Sequence, residues 1–172
     1  MYLGSKKHIL SLFGALAMLA AMTSSAGECR GLLRPLLLQQ TPDDNNLAAI
    51  REICQTEADA GDPDSEYQLS LFYLGLIEWN VDKAVPLIVN SAQSGVSEAQ
   101  YWLAWQYDAG PLLPDDLGLA LRWYEMAGEN DHRLALQRLA EAYQHGELGL
   151  PVDARKASLL RARASKCENN SG

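Results

Sequence analysis

The most regular hydrophobic pattern in the chain covers residues 99–131, where it predicts two amphipathic helices joined by a short loop. The apolar positions recur at offsets of 0, 4, 5 and 8 in the first half and 0, 3, 4 and 7 in the second, so each set forms one helix face. These positions are Ala99, Leu103, Ala104, Tyr107, Ala120, Trp123, Tyr124 and Ala127. Glycine and proline interrupt the pattern at 110–114, and Asp115 or Asp116 can cap the second helix. The stretch is predicted to be a helical hairpin.

The same hairpin pattern recurs on both sides of this stretch. A shift of 34 positions back sets Leu103 on Leu69, and a shift of 36 forward sets it on Leu139. Because one hairpin cannot bury its own apolar stripes, the repeats are expected to stack. We predict an all-α, right-handed solenoid of about three and a half αα-hairpins and about seven helices, with no sheet, as a monomer. Its parts are an unpaired second helix at 47–61 and repeats at 64–95, 98–131 and 134–166.

The repeat unit resembles that of the Sel-one-like repeat (SLR) family, which is related to the tetratricopeptide repeats. The central copy matches the family pattern at Ala99, Leu103, Tyr107, Gly110, Asp116, Ala120, Trp123, Tyr124 and Ala127. It departs at Ala104, Gly128 and Asp131, where the family has Gly, Ala and Gly. In the outer copies Ser65 replaces the first Ala, and Leu160 and Arg161 replace the Trp-Tyr pair. The resemblance covers about 47–166 and implies an α-solenoid that binds protein, without naming its partner.

The first 26 residues have the composition of a secretory leader. Basic Lys6 and Lys7 precede an apolar run over 9–22 that is short for a membrane span, and small residues follow at 24–26. We predict a signal peptide cleaved after Ala26 and a periplasmic protein without integral membrane contact. The alternatives are a retained anchor helix and a lipoprotein, although the residue before the first cysteine is Glu rather than a small residue.

The leucine-rich segment 27–46 lies outside the repeats and is predicted to cap the open end of the stack, whereas 167–172 forms a polar tail. Export would allow disulfide bonds among the three cysteines. A Cys29–Cys54 bond would staple the N-terminal cap, with Cys167 too distant to compete. The alternative is that Cys54 is simply a buried apolar residue.

The charge balance argues against a nucleic-acid partner. The chain holds 14 Lys and Arg against 22 Asp and Glu, and phosphate binding requires a basic face. The acidic excess lies in 27–131, while 132–172 is slightly basic. This gradient is either incidental to solubility or an acidic surface that steers a basic protein partner.

The sequence contains no arrangement typical of catalysis. His132 and His145 are 13 positions apart with no metal-ligand pattern around them, and nucleophile and phosphate-loop motifs are absent. Asp82, Asp116 and Asp153 lie near predicted helix starts, where capping is their expected role. We therefore predict a protein that is not an enzyme, with no cofactor, metal or catalytic residue.

The resemblance indicates where a protein partner would bind, because the first helix of each hairpin lines the concave surface in this superfamily. With Leu69, Leu103 and Leu139 in the core, residues two before, two after and one turn further on are predicted to face the groove. They are Tyr67, Leu71, Leu74, Tyr101, Trp105, Asp108, Gln137, Glu141 and Gln144. An aromatic strip flanked by carboxylates is typical of binding hot spots. The alternative is that these aromatic residues pack between neighbouring hairpins.

Two functions fit these observations. Short, acidic SLR proteins with a leader resemble the periplasmic immunity proteins that accompany secreted phospholipase toxins, as in type VI secretion. The partner would then be a toxin effector with a basic surface. The second function is an envelope assembly scaffold, for example in exopolysaccharide export, although such scaffolds have more repeats and a lipid anchor.

Overall fold

The computed structural model describes residues 27–38 and 44–169, and all regular structure in these ranges is helical. The helices are α1 (Glu28–Leu37), α2 (Asp44–Asp59), α3 (Pro63–Tyr73), α4 (Val81–Gln93), α5 (Ser97–Ala109), α6 (Leu117–Glu129), α7 (Arg133–His145) and α8 (Ala154–Asn169). The one pairing of extended backbone in these ranges is an isolated bridge between Leu74 and Trp79. The predicted all-α solenoid is confirmed, while the predicted leader lies outside the described residues. No helix in the described ranges has the length and apolarity needed to cross a membrane.

Successive helices pack against one another along the chain, so the described part forms four hairpins rather than three and a half. The difference lies at the N-terminus. The helix expected to be unpaired at 47–61 is α2, and α1 supplies its first helix from the segment expected to be a cap. Gly31 and Pro35 lie inside α1 and conceal its helical pattern, since both residue types disfavour helix interiors. At the other end α8 extends into the predicted tail.

Side chains placed before the helices explain where they begin. Asp62, Asn80 and Asp116 each accept a hydrogen bond from the backbone N–H three residues later, as N-caps do. Asp153 does the same for α8 by accepting from Lys156 N at 2.9 Å. Asp82, expected to be a cap, lies instead in the first turn of α4, where its charge complements the helix dipole.

Apolar side chains from adjacent hairpins form the core, and small residues set its spacing. Leu103, at the middle of the stack, is 1% exposed. It belongs to a cluster with Ile88, Ala92 and Ala99 from α4 and α5. At Gly128, an added Cβ would lie 3.3 Å from the side chains of Leu136 and Leu139 on α7. Glycine at this position therefore permits a closer α6–α7 approach than the alanine typical of the family.

The N-terminal hairpin is held by a covalent bond and a buried carboxylate. Cys29 and Cys54 form a disulfide bond between α1 and α2, and both are fully buried. Glu57, 3% exposed, accepts hydrogen bonds from the backbone N–H groups of Glu28 and Cys29 at 3.2 Å each and from Ser65 Oγ at 2.6 Å. Since α1 has no side-chain N-cap of its own, this carboxylate caps it from the neighbouring helix.

Candidate protein-binding face

The first helices of the four hairpins share one stripe of side chains that is not fully buried, which we name the first-helix face. On each helix the stripe has the spacing i, i+4, i+7, which is one side of an α-helix. Its members are Arg30, Arg34 and Leu37 on α1; Asp64, Gln68 and Leu71 on α3; Glu98, Trp102 and Trp105 on α5; and Leu134, Arg138 and Glu141 on α7. Equivalent positions lie 34 or 36 residues apart, so this face repeats with the hairpins.

A bridging arginine at one end of the face shows that the helices are in register. Arg30 lies 2.8 Å from a carboxylate oxygen of Asp64 on α3 and 2.8 Å from one of Glu98 on α5. Burial opposes ionisation of Glu98, but its own backbone N–H and Arg30 lower its pKa overall. Glu98 is therefore ionised in the fold and ties α5 to α1.

Two tryptophans occupy the middle of the first-helix face. Trp105 is 43% exposed, although large apolar side chains normally lose most of their contact with water. Trp102, one turn earlier, is half-buried and packs against the cluster around Leu103. Leu37 and Leu134, on α1 and α7, are exposed on the same face. This combination of two tryptophans on one helix face and exposed apolar side chains beside them is typical of a protein-binding surface.

Three of the nine predicted binding residues lie on this face: Leu71, Trp105 and Glu141. Others lie between hairpins. Tyr101 stacks on His132 with ring centroids 4.6 Å apart and contacts Tyr124 at 5.9 Å. Tyr67 and Leu74 pack against the cluster around Leu103, and burial raises the pKa of Tyr67 to about 12. The predicted stripe begins three residues later on each first helix than the observed face, a rotation of about 60° toward the next hairpin, which covers these side chains.

Asp108 lies in an ion-pair network that joins three helices. It accepts hydrogen bonds from Arg138 Nε at 2.8 Å and from Tyr124 Oη at 3.2 Å. Arg138 also pairs with Glu147 in the loop before α8. The Asp108 carboxylate raises the pKa of Arg138, and burial raises the pKa of Tyr124. Asp108 therefore stabilises the α5–α6–α7 junction rather than presenting an open carboxylate.

At the C-terminal end, α7 and α8 enclose a polar groove. It is lined by Gln137, Glu141, Arg161, Ala164 and Ser165. Arg161 also donates a hydrogen bond to the side chain of Gln144. The equivalent positions in the preceding hairpin hold Tyr101 and Tyr124, which receive the next first helix. Gln137 and Gln144 therefore lie on a polar surface of the last described hairpin rather than on an apolar one.

The partner-binding role of the nine residues stays a prediction, and the structure adds residues that the sequence analysis missed. Arg30, Arg34 and Leu37 were missed because α1 itself was not recognised. Trp102 carries a signal that was available, since it lies four residues after Glu98 and three before Trp105. Within 27–38 and 44–169, no group of three or more His, Cys, Asp or Glu residues is placed to hold a metal ion.

A pH dependence of stability is expected from His132, which caps α7 by accepting from Ala135 N at 3.4 Å. Burial lowers its pKa, so folding favours the neutral ring. The unfolded chain therefore takes up this proton first, and the free energy of unfolding falls as the pH drops through about 6.5. Chemical denaturation at several pH values should show a smaller fall for His132→Asn, which retains a capping acceptor. His145→Asn, at the exposed end of α7, is the matched control, and identical pH slopes in wild type and His132→Asn would contradict the prediction.

The model of the Sel1 repeat matches residues 97–132 and 133–157. The matches support a relationship between this chain and the Sel1-repeat family. A solved Sel1 repeat protein from Oxalobacter formigenes is 29% identical, with a TM-score of 0.61 over 68% of this chain and 92% of that one. No curated protein matches the chain.

A second solved structure is similar to this chain in its fold only. It is a protective antigen present in uropathogenic Escherichia coli strains, which displays an SLR fold. Its identity is 23% and its TM-score 0.65, over 81% of this chain. The chain spans only 31% of that protein. Sel1-like repeats generally mediate protein–protein interaction and are typically non-catalytic, which agrees with the surface found here.

Proposed function

We propose that this chain is an exported protein-binding module that holds one protein partner on its first-helix face. The observation that carries the proposal is Trp105, an exposed tryptophan at the middle of that face, one turn after the half-buried Trp102 that packs against the core. Buried aromatic anchors at the centre of an interface contribute most of its binding energy. The half-exposed charges around the tryptophans would form the polar rim.

The partner that fits best is a secreted toxin, which makes the chain an immunity protein that neutralises it. Three features support this assignment. The leader-like residues 1–26 favour export, and the Cys29–Cys54 disulfide suits an oxidising compartment such as the periplasm. The net charge of −8 favours rapid association with a basic partner.

Trp105→Ala is expected to weaken binding of the partner by about 2 kcal/mol or more, about thirtyfold in Kd. It should change the free energy of unfolding by less than about 1 kcal/mol, because the Trp105 side chain contributes little to the packing of the core. The measurement starts with capture from envelope extract by the chain from residue 27 onward, followed by mass spectrometry. Titration of the purified partner against both baits then gives the two affinities.

Trp79→Ala is the matched control, because Trp79 is 66% exposed but lies on the α3–α4 loop rather than on a first helix. It should bind the partner as the wild type does. A captured protein that is toxic when produced alone, and harmless beside this chain, supports immunity. Capture of polysaccharide-export components instead supports the scaffold function. A Trp105→Ala variant that is severely unstable, but whose folded fraction binds the partner normally, would refute the proposal that the partner binds the first-helix face.

A further inference from the structure

A hollow of about 590 Å³ lies on the first-helix face where α1, α3 and α5 meet. Its lining combines two guanidinium groups, two leucines, one amide and one carboxylate. These side chains are Arg30, Arg34, Leu37, Leu38, Gln68 and Glu98. Most of them belong to the first-helix face, so the hollow is continuous with the surface that carries the tryptophans.

The two arginines in the hollow have different surroundings. Arg30 already pairs with Asp64 and Glu98, at 2.8 Å each. Arg34 lies one turn further along the same side of α1 and is exposed, and no described residue accepts a hydrogen bond from its guanidinium group. An incoming anion would therefore meet Arg34 without displacing the Arg30 bridges. A guanidinium group matches the planar geometry of a carboxylate and can bind it through two parallel hydrogen bonds.

The apolar side of the hollow is unusually open to water. Leu37, the last residue of α1, is 40% exposed, and Leu38, which follows the helix, is 82% exposed. Removing such side chains from water is favourable in proportion to the apolar area that is covered. A ligand that satisfies the whole hollow must therefore carry a negative group and an apolar group close together.

We propose that this hollow binds a segment of the partner protein that presents a carboxylate directly beside an apolar side chain. The carboxylate pairs with Arg34, and the apolar side chain covers Leu37 and Leu38. This inference rests on the proposed function and names the chemistry of the segment that is held. It also separates two electrostatic effects, because the acidic chain attracts a basic partner at long range while one carboxylate of that partner fixes its position.

The test uses a random peptide library selected on the immobilised chain. Enriched peptides should carry Asp or Glu next to Leu, Ile or Phe. A synthetic enriched peptide should bind Arg34→Glu and Arg34→Gln about tenfold more weakly or worse, which is the worth of a charge-assisted hydrogen bond. Changing the peptide's carboxylate to an amide should produce a similar loss on the wild-type chain. Arg122→Glu is the matched control, because Arg122 is an exposed arginine on α6, away from the hollow, and this variant should bind normally.

The outcomes separate this inference from the proposed function. Enriched peptides without a carboxylate, or no enrichment at all, would overturn the inference. If the protein partner no longer binds Trp105→Ala but still binds both Arg34 variants, the inference about the hollow is overturned and the first-helix face is supported. If the partner no longer binds the Arg34 variants but still binds Trp105→Ala, the hollow is supported and Trp105 is not an anchor. Thermal unfolding followed by circular dichroism shows that each variant is folded before it is scored.

Discussion

Leu103→Ala is expected to lower the free energy of unfolding by about 2–5 kcal/mol. Leu103 is 1% exposed and packs among side chains of α4 and α5 at the middle of the stack. Truncation removes buried apolar surface and leaves a cavity, which the helices on either side fill only in part. Because the hairpins of a solenoid pack mainly against their immediate neighbours, a defect there weakens the junction between the two halves.

Denaturant unfolding followed by circular dichroism measures this loss. Leu159→Ala is the matched control, because Leu159 lies on α8 and is 62% exposed. It should change the free energy of unfolding by no more than about 0.5 kcal/mol. A loss below about 1 kcal/mol in Leu103→Ala, which is less than a buried leucine requires, would show that the core does not have the described packing.

Replacing Cys29 and Cys54 together by serine is expected to cost about 3 kcal/mol. The bond closes a loop with a sequence separation of 25 residues, so its removal frees the unfolded chain more than the folded one. Two hydroxyl groups would also replace fully buried sulfurs, which adds a desolvation cost. The loss should be largest at α1, where the first-helix face begins.

Non-reducing peptide mapping of the purified protein, together with unfolding curves, checks this prediction. Reduction of the wild type should reproduce most of the loss seen in the double variant, which serves as the control for the substitutions themselves. An unchanged free energy of unfolding after reduction would mean that Leu33, Leu36 and the Glu57 cap suffice to hold α1. Recovery of Cys54 as a thiol would favour its role as a buried apolar residue.

The hairpins were predictable from sequence because their signal is local and repeated. Leu69, Leu103 and Leu139 recur with the stack, and Asp116 and Asp153 mark helix starts by a mechanism that depends on the sequence alone. Helix α1 was not predictable in the same way. Gly31 and Pro35 oppose it locally, and it is stabilised by tertiary contacts that include a disulfide and a carboxylate from another helix.

The candidate site was predictable only in part, because its register depends on how hairpins pack. The position of Leu103 shows which side of α5 is buried, but not how far the next hairpin wraps around the helix. That hairpin covers Tyr101 and pairs with Asp108 through Arg138, whereas Trp105 stays exposed. Arg34 carries no signal of its own in the sequence, since its role depends on the neighbours that α1 acquires by folding.

The polar groove between α7 and α8 has a consequence for how such a protein can change length. A further hairpin added after α8 would meet Gln137, Glu141 and Arg161 where Tyr101 and Tyr124 receive α7 in the preceding junction. The added helix would have to strip water from these groups without offering them partners, which costs free energy. Duplication of the α5–α6 hairpin would instead copy both the apolar surface that receives the next hairpin and the surface that packs against the preceding one. A longer or shorter variant of this protein is therefore best built by inserting or deleting units before α7, with the α7–α8 hairpin kept as it is.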